Sequence, residues 1–382
     1  MRMKRFSMVT LVIICACTAL VSCSDKAVKY YNLGIEAAER DDLDGAIAYW
    51  RKSLDYRPND PETHFNLGNA YLQKKQYGEA EHEFRKALAL EIDDPESHWG
   101  LGTSLEMQGE LIEAKKSYKR TLNLKPNSLA ALLGLASCTL KMNQDKSAEN
   151  YATRALQLDP RNLEGNLYLA EALYRLGDYQ SAYGQLLSAK KYTENDPRLL
   201  MLFGKVTYAR HMYTDALAAL NNAKSAGLSS AEVFLFLGKT NLALEKPAEA
   251  EKYFRLSIFK DKEGVEAWKG LGETYIKMTD WKQAEEALLN AAKSNPDDPL
   301  TRLNLGYIYL NTGRHEEAVA TLESILTGED PPPRTAYYLG HAYIRVGENE
   351  KAVDAFNRFI KTWEGDPRLL DEVREILNTL AR

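Results

Sequence analysis

The chain has 382 residues, of which 45% are hydrophobic and 27% are charged, and its formal net charge is −5. This composition is typical of a folded protein and excludes a predominantly disordered chain. The acidic balance also argues against nucleic acid as the main partner.

The first 22 residues have the organisation of an export signal. Three basic residues within the first five are followed by an apolar run over residues 8–21. This run is shorter than a membrane-spanning helix requires, so it predicts a secretory signal peptide at residues 1–22.

The end of this signal resembles the lipobox of bacterial lipoproteins. Leu20, Val21 and Ser22 precede Cys23, which matches an aliphatic residue, a tolerant position, a small residue and the cysteine. The resemblance implies cleavage before Cys23, a thioether-linked lipid on its sulfur and acylation of its new amino group. Residues 23–26 would then form a short tether. The alternative is a plain signal peptide that is cleaved nearby, with Cys23 incidental.

Lipidation would anchor the exported chain to a bacterial membrane. Ser24, and not aspartate, follows Cys23, and by the sorting rule of enteric bacteria this predicts the outer membrane, facing the periplasm, in a Gram-negative host. Loss of the three cations of the signal, which contains no anion, changes the net charge from −5 to −8. Cys138 would be left without a partner cysteine, which excludes an intramolecular disulfide.

A period of 34 residues runs through the rest of the chain. The positions reached from Gly34 in steps of 34, up to Gly340, are all Gly or Ala, and those from Ala46 to Ala352 are ten alanines. A fixed period of this length is typical of repeat proteins, in which each unit packs only against its neighbours. The chain is therefore predicted to form an array instead of two or three globular domains.

The eighth unit shows the motif most fully: Trp268-x2-Leu271-Gly272-x2-Tyr275, then Ala284, Ala291 and Pro296. This pattern resembles the tetratricopeptide repeat, a helix–turn–helix unit of 34 residues. The resemblance covers residues 27–366. It implies an all-α fold, a right-handed α-solenoid superhelix of about ten repeats.

The recurring positions are predicted to have packing and capping roles. With Ala27 as position 1, small residues at positions 8 and 20 allow close helix contact, and a large residue at position 24 fills the space between hairpins. Asp-Pro pairs such as Asp60-Pro61 cross five unit boundaries, which suits an N-cap followed by the first helical position. Glycines at position 15 suit the turn inside the hairpin: Gly109, Gly177, Gly313 and Gly347.

Residues 367–382 follow the last unit and predict a C-terminal capping helix. One face carries an apolar stripe of Leu369, Val373, Ile376, Leu377 and Leu380. Charged residues occupy the rest of the segment, as the exposed end of a solenoid requires.

The sequence contains no pattern typical of catalysis or metal binding. None of the six histidines has another histidine four residues away, and no cysteine or carboxylate cluster has ligand spacing. A phosphate-binding glycine loop and a nucleophile elbow are also absent from the sequence. We therefore predict a non-enzymatic protein with no cofactor, metal ion or small-molecule substrate.

The resemblance also implies a binding groove. In tetratricopeptide arrays, positions 2, 5, 9, 12 and 13 of the first helices line the concave face, and position 5 is apolar or aromatic in nine of the ten units here. These side chains either pack against neighbouring first helices or form a groove for an extended or helical peptide. The lysine–asparagine clamp of chaperone-tail binders is incomplete, because Phe65 stands where lysine would be. The candidate groove residues are Tyr31, Phe65, Asn69, Trp99, Leu133, Leu167, Met201, Lys205, Leu235 and Lys239.

The sequence thus predicts a membrane-anchored scaffold, or adaptor, for protein–protein interactions in the bacterial cell envelope. At family level it resembles envelope lipoproteins that support the assembly of secretins and pili, exopolysaccharide export or peptidoglycan enzymes. The expected contacts are a protein partner in the groove and the membrane through the N-terminal lipid. The alternative is a structural lipoprotein that binds carbohydrate or the cell wall.

Overall fold

In a computed structural model of the protein, the structure describes residues 25–193, 195–326, 328 and 331–381. All regular secondary structure in these residues is α-helical. The predicted signal peptide and Cys23 lie outside the described residues. Among the described helices, none is long and apolar enough to cross a membrane.

The first of two compact units is Met1–Glu194. Its described helices are 25–39 (α1), Leu43–Tyr56 (α2), Pro61–Gln73 (α3), Tyr77–Leu90 (α4), Pro95–Met107 (α5), Leu111–Leu124 (α6), Leu129–Lys141 (α7), Asp145–Leu158 (α8), Leu163–Arg175 (α9) and Tyr179–Lys190 (α10).

The second unit is Asn195–Arg382. Its described helices are Pro197–Ala209 (α11), Tyr213–Ser225 (α12), Ala231–Ala243 (α13), Pro247–Lys260 (α14), Val265–Lys277 (α15), Trp281–Ser294 (α16), Pro299–Asn311 (α17), His315–Leu326 (α18), Arg334–Val346 (α19), Asn349–Thr362 (α20) and Pro367–Leu380 (α21).

Within each unit, the helices pack mainly against their neighbours in sequence. Each odd-numbered helix before α21 forms a hairpin with the helix that follows it, and that second helix packs against the first helix of the next hairpin or, for α20, against α21. Successive first helices, such as α3 and α5 or α13 and α15, also touch. This arrangement confirms the predicted all-α solenoid of helix–turn–helix repeats.

The Asp-Pro pairs begin first helices, as the sequence indicates. In α3, for example, Asp60 Oδ2 accepts a hydrogen bond from the backbone amide of Thr63 at 3.1 Å, and Pro61 is the first helical residue. The cap satisfies a backbone N–H that has no partner within the helix. The other Asp residues that cap a helix before proline are Asp94, Asp196, Asp298 and Asp366.

The side chain at position 24 occupies the space between consecutive hairpins. The ring of Phe84 is fully buried between Gly68 of its own hairpin and Gly100 of the next. A Cβ on Gly68 would lie 2.8 Å from that ring. Only glycine therefore leaves room for the ring at this distance.

The turn at position 15 has the same unusual backbone conformation in every hairpin. All ten residues there have a positive φ, between 55° and 85°. Four are the predicted glycines, and the other six are Asp41, Lys75, Asn143, His211, Glu245 and Thr279. The glycine pattern in the sequence thus marked a conformation that all ten hairpins share.

Helix α21 covers the exposed side of the last hairpin. Val373 is buried, and Leu369, Ile376 and Leu377 pack against the apolar core of the second unit. The hydroxyl group of Tyr337 on α19 donates a hydrogen bond to Glu372 Oε1 at 2.9 Å. These contacts are those expected of a capping helix.

Candidate functional site

The candidate groove residues lie on one face of the odd-numbered helices, which we call the first-helix face. Six of them belong to the first unit and four to the second, and we describe the two units separately. In the first unit, Tyr31, Phe65, Trp99 and Leu133 are half-buried. Leu167 is buried and offers little surface to a partner.

Tyr31 is held by polar contacts to α3. Its hydroxyl group donates to Glu62 Oε1 at 2.6 Å and accepts from Asn66 Nδ2 at 3.1 Å. Burial, together with the hydrogen bond to the Glu62 carboxylate, raises the pKa of Tyr31 to about 12. The phenol therefore stays protonated and fixes α1 against α3.

Two pockets on the first unit contain predicted groove residues. Asn69 lines a pocket of about 320 Å³ together with Ile35 and Gln73. Phe65 lines a second pocket of about 380 Å³, whose walls carry several carboxylates, including Glu62 and Glu91. Phe65 also contacts Phe84 edge-on, with ring centroids 6.0 Å apart. The pockets place an amide and an aromatic ring on the first-helix face.

A buried carboxylate on this face is not among the residues predicted from the sequence. Glu106 on α5 accepts hydrogen bonds from Tyr118 (2.8 Å), Ser137 (2.5 Å) and Lys141 (2.7 Å). Burial, with Glu106 nearby, raises the pKa of the Cys138 thiol to about 12, so the thiol is protonated and unreactive. These bonds connect Glu106 on α5 to Ser137 and Lys141 on α7, so the cluster ties the two helices together. The acidic residue at a groove position was its signal in the sequence.

In the second unit, Met201 and Lys205 are buried, and Leu235 and Lys239 are half-buried. Both lysines form ion pairs with glutamates of the next repeat. Lys205 Nζ lies 2.8 Å from Glu232 Oε1, and Lys239 Nζ lies 2.9 Å from Glu266 Oε2.

The two ion pairs occupy the same positions in successive units. In each, a lysine at position 9 of one unit meets a glutamate at position 2 of the next unit, and we call each pair a rung; the other eight units have no lysine at position 9. Burial acts to raise the pKa of Glu266, but its bonds to Lys239 and Lys269 lower the pKa below the usual value. Glu266 therefore stays charged, and both rungs connect neighbouring first helices.

The next rung along the array is absent. Position 9 is Glu273 and position 2 of the following unit is Leu300, whose side chain is 51% exposed. A pocket of about 370 Å³ lies at this place. Its lining includes Glu273 and Leu300 together with three lysines, Lys239, Lys269 and Lys277. A floor of Tyr208, Leu242 and Phe254 completes the pocket.

The carboxylate of Glu273 differs electrostatically from the glutamates of the rungs. Desolvation by the surrounding protein raises its pKa, although the side chain keeps an exposed part and Lys269 and Lys239 act in the opposite direction. Lys269 is engaged with Glu266 Oε1 at 3.3 Å and with Asp298 Oδ2 at 3.4 Å. Lys277, in contrast, is exposed and forms no ion pair with the described residues. The pocket thus combines apolar surface with a hydrogen-bonding carboxyl group and an available ammonium group.

The described residues contain no group of three or more His, Cys, Asp or Glu side chains that could hold a metal ion. His64, which is buried, bonds Glu83 and the backbone carbonyl of Pro58. His98 bonds the carbonyl of Ile92. The structure does not bring these two histidines into one site.

Comparisons with known protein families match several parts of the chain. Models of the tetratricopeptide repeat match residues 37–75, 61–94 and 269–334. The model of subunit 3 of the anaphase-promoting complex, or cyclosome, matches residues 141–223. Together with the helix–turn–helix array, these matches identify the chain as a tetratricopeptide-repeat protein.

Solved structures share this fold at low sequence identity. A tetratricopeptide repeat protein from Parabacteroides merdae has a TM-score of 0.53 and 15% identity, covering 65% of this chain and 99% of its own. A chain of the APC/C hetero-tetramer Cut9–Hcn1 has a TM-score of 0.52 and 13% identity, covering 93% of this chain and 92% of its own. Pseudomonas aeruginosa pilF has a TM-score of 0.50 and 21% identity, covering 57% of this chain and 99% of its own. No curated protein sequence matches the chain.

Proposed function

We propose that the protein is a lipid-anchored adaptor of the bacterial cell envelope, which binds a segment of a partner protein on its first-helix face and supports assembly of an envelope complex. The observation that carries the binding role is the pocket at the absent rung. There Leu300, Glu273 and Lys277 offer apolar, hydrogen-bonding and charged groups that are not all used within the protein. Such a combination suits a peptide segment, in which apolar side chains alternate with polar backbone groups.

The length of the first-helix face indicates the class of partner. Successive first helices each contribute one part of this face, so it suits a long polypeptide segment more than a small molecule. The likeness to a chain of the Cut9–Hcn1 hetero-tetramer is in accord with a protein partner, because that chain was solved within a complex of two proteins. The envelope role rests on the lipobox-like sequence before Cys23. Assembly of secretins or pili, exopolysaccharide export and peptidoglycan synthesis are the processes that such an adaptor would serve.

A crosslinking experiment in the native host tests the binding role. A photoreactive amino acid replaces Leu300 in one variant and Phe259 in the matched control. Phe259 lies on the second helix α14 and is 76% exposed, so it is at least as accessible. We expect a discrete crosslinked partner protein at Leu300 and none at Phe259, as analysed by mass spectrometry.

Equal crosslinking at both positions, or crosslinking at Phe259 alone, would contradict binding on the first-helix face. The anchor is tested separately on the same membranes. Mass spectrometry of the N-terminal peptide should show a diacylglyceryl group on Cys23 and an acylated amino terminus. An unmodified Cys23 would refute the anchor without affecting the crosslinking result.

A further inference from the structure

The two ends of the first hairpin carry opposite charges. Helices α1 and α2 run antiparallel, and Ser53 Oγ near the end of α2 donates to the carbonyl of Ala27 at the start of α1 at 2.8 Å. The end that contains these residues carries five basic side chains and only two acidic ones: Lys26, Lys29, Arg51, Lys52, Arg57, Asp25 and Asp55. The opposite end, at the turn, carries five acidic side chains and one basic one: Glu36, Glu39, Asp41, Asp42, Asp44 and Arg40.

Aromatic rings lie among the lysines at the basic end. Tyr30 and Tyr56 stack with their centroids 5.8 Å apart and their planes 7° from parallel. Lys26 Nζ lies 5.5 Å from the centroid of Tyr56, and Lys52 Nζ lies 5.7 Å from that of Tyr30. We call Lys26, Lys29, Lys52 and these two tyrosines the Lys–Tyr patch. Tyr56 is 37% exposed, so part of the stacked pair faces solvent.

The lysines of the patch are available to an external anion. Lys26, Lys29 and Lys52 are exposed, and none of them forms an ion pair with a carboxylate of the described residues. Other exposed lysines are paired within the protein. Lys116 of α6 pairs with Glu113 at 2.6 Å, and Lys125, which follows that helix, pairs with Glu96 at 2.9 Å. The patch therefore keeps positive charge that the protein itself does not neutralise.

We infer that the Lys–Tyr patch binds the headgroup region of an anionic phospholipid membrane. Tyrosine combines an apolar ring with a polar hydroxyl group and is enriched at membrane interfaces, and each lysine near an anionic surface adds attraction. The inference rests on the proposed anchor for its placement. Two peptide units separate Cys23 from Asp25, so a lipid on Cys23 would hold α1 within about 7 Å of the attachment point.

The charge separation along the hairpin sets its orientation. An anionic surface attracts the end with Lys26 and Lys52 and repels the acidic turn, so the hairpin stands with its turn directed away from the membrane. A single acyl chain gives marginal anchoring, and a basic patch is a second signal that strengthens it. The patch would therefore orient the first repeat as well as increase the affinity for the membrane.

Vesicle binding of protein that lacks acyl chains tests the inference independently of lipidation and of any partner. The chain from Cys23 to Arg382 is mixed with vesicles of phosphatidylcholine alone, or of phosphatidylcholine with about 30% phosphatidylglycerol. Binding is measured by co-sedimentation at low and at high salt. We expect binding to the anionic vesicles at low salt. The variant Lys26→Glu/Lys52→Glu should bind these vesicles at least tenfold more weakly.

The matched control is Lys119→Glu/Lys282→Glu, which changes the net charge equally at exposed lysines of α6 and α16. It should bind like the unmodified protein, and circular dichroism should show equal helicity in all three proteins. Equal binding to both vesicle types, no binding to either, or an equal loss in the control would overturn the inference. None of these outcomes bears on acylation of Cys23 or on crosslinking at Leu300, which test the proposed function.

Discussion

At the residue scale, the turn at position 15 shows how far a sequence pattern extends beyond the residues that display it. Glycine has no Cβ and adopts a positive φ freely, whereas other residues in this region cost roughly 1–2 kcal/mol. Six hairpins accept that cost, Thr279 with a φ of 60° among them. The turns at Gly109 and Gly177 could be predicted from the sequence, because glycine favours a positive φ. The same turn at Thr279 could not be predicted, because threonine disfavours a positive φ.

Replacement of Thr279 by glycine should stabilise the eighth repeat. Threonine is β-branched and is strained at positive φ, and relief of this strain exceeds the entropy that glycine loses on folding. We expect a gain of about 1 kcal/mol in the free energy of local opening, measured by hydrogen exchange of amides in α15 and α16. The reverse change, Gly313→Thr, should destabilise the ninth repeat, and unchanged exchange in both variants would count against the strain.

The charged groove residues were predicted without their partners. The repeat pattern predicts Lys205 and Lys239 as groove residues, and in the structure each is paired with a glutamate 27 residues further along the chain. Positions 9 and 2 of adjacent repeats meet only when first helices stack, and the sequence of a single repeat does not show this contact. The alternation of Lys and Glu at these positions was the available signal.

At the element scale, hairpin packing is determined by the pairing of position 8 with position 24. A Cβ on Gly272 would lie 2.6 Å from Cγ of Leu288, which is too close for either atom to remain in place. The fourth repeat shows a different solution, with Ala136 at position 8 and Ala152 at position 24, both fully buried. The fifth repeat combines Ala170 with Leu186, both fully buried, so alanine and leucine fit together where the helices or the leucine rotamer have adjusted. The two positions are therefore coupled through local packing, and in the eighth repeat Leu288 is packed against a glycine.

A double-mutant cycle tests this coupling. Gly272→Ala alone should destabilise the eighth repeat by roughly 1–3 kcal/mol, because overpacking exceeds the gain of up to ~1 kcal/mol in helix propensity. In the Leu288→Ala background the same change should be neutral or stabilising, since the clash is gone. Thermal unfolding of the four proteins measures the cycle, and equal effects of Gly272→Ala in both backgrounds would show that the positions act independently.

At the scale of the whole molecule, the period in the sequence was sufficient to predict the helices and their order, because each unit contains the residues that pack its own hairpin.

The net charge of the chain says less about its binding surfaces than the distribution of the charges does. A chain with a net charge of −5 has a locally basic surface around Lys26 and Lys52. The pocket near Glu273 was also beyond sequence reasoning, since α13, α15 and α17 all contribute to it.

Packing between neighbours predicts that damage stays local. Leu67 on α3 is 1% exposed, and Leu67→Ala should destabilise its surroundings by roughly 2–5 kcal/mol. Since α3 contacts α2, α4 and α5, faster hydrogen exchange should be confined to the first three repeats. Helices α15 to α18 should exchange at their original rates. Uniform acceleration along the chain would indicate global cooperativity instead.

The site near Glu273 lies where a short ladder of ion pairs ends. Lys205–Glu232 and Lys239–Glu266 are its two rungs, and the next junction has Glu273 at position 9 and Leu300 at position 2, which make no such pair. Glu273→Lys together with Leu300→Glu would extend the ladder by one rung and would close the site without a change of fold. Two substitutions elsewhere would open another. In related repeat proteins, such pairs of substitutions would move the binding site along an unchanged scaffold, one repeat at a time.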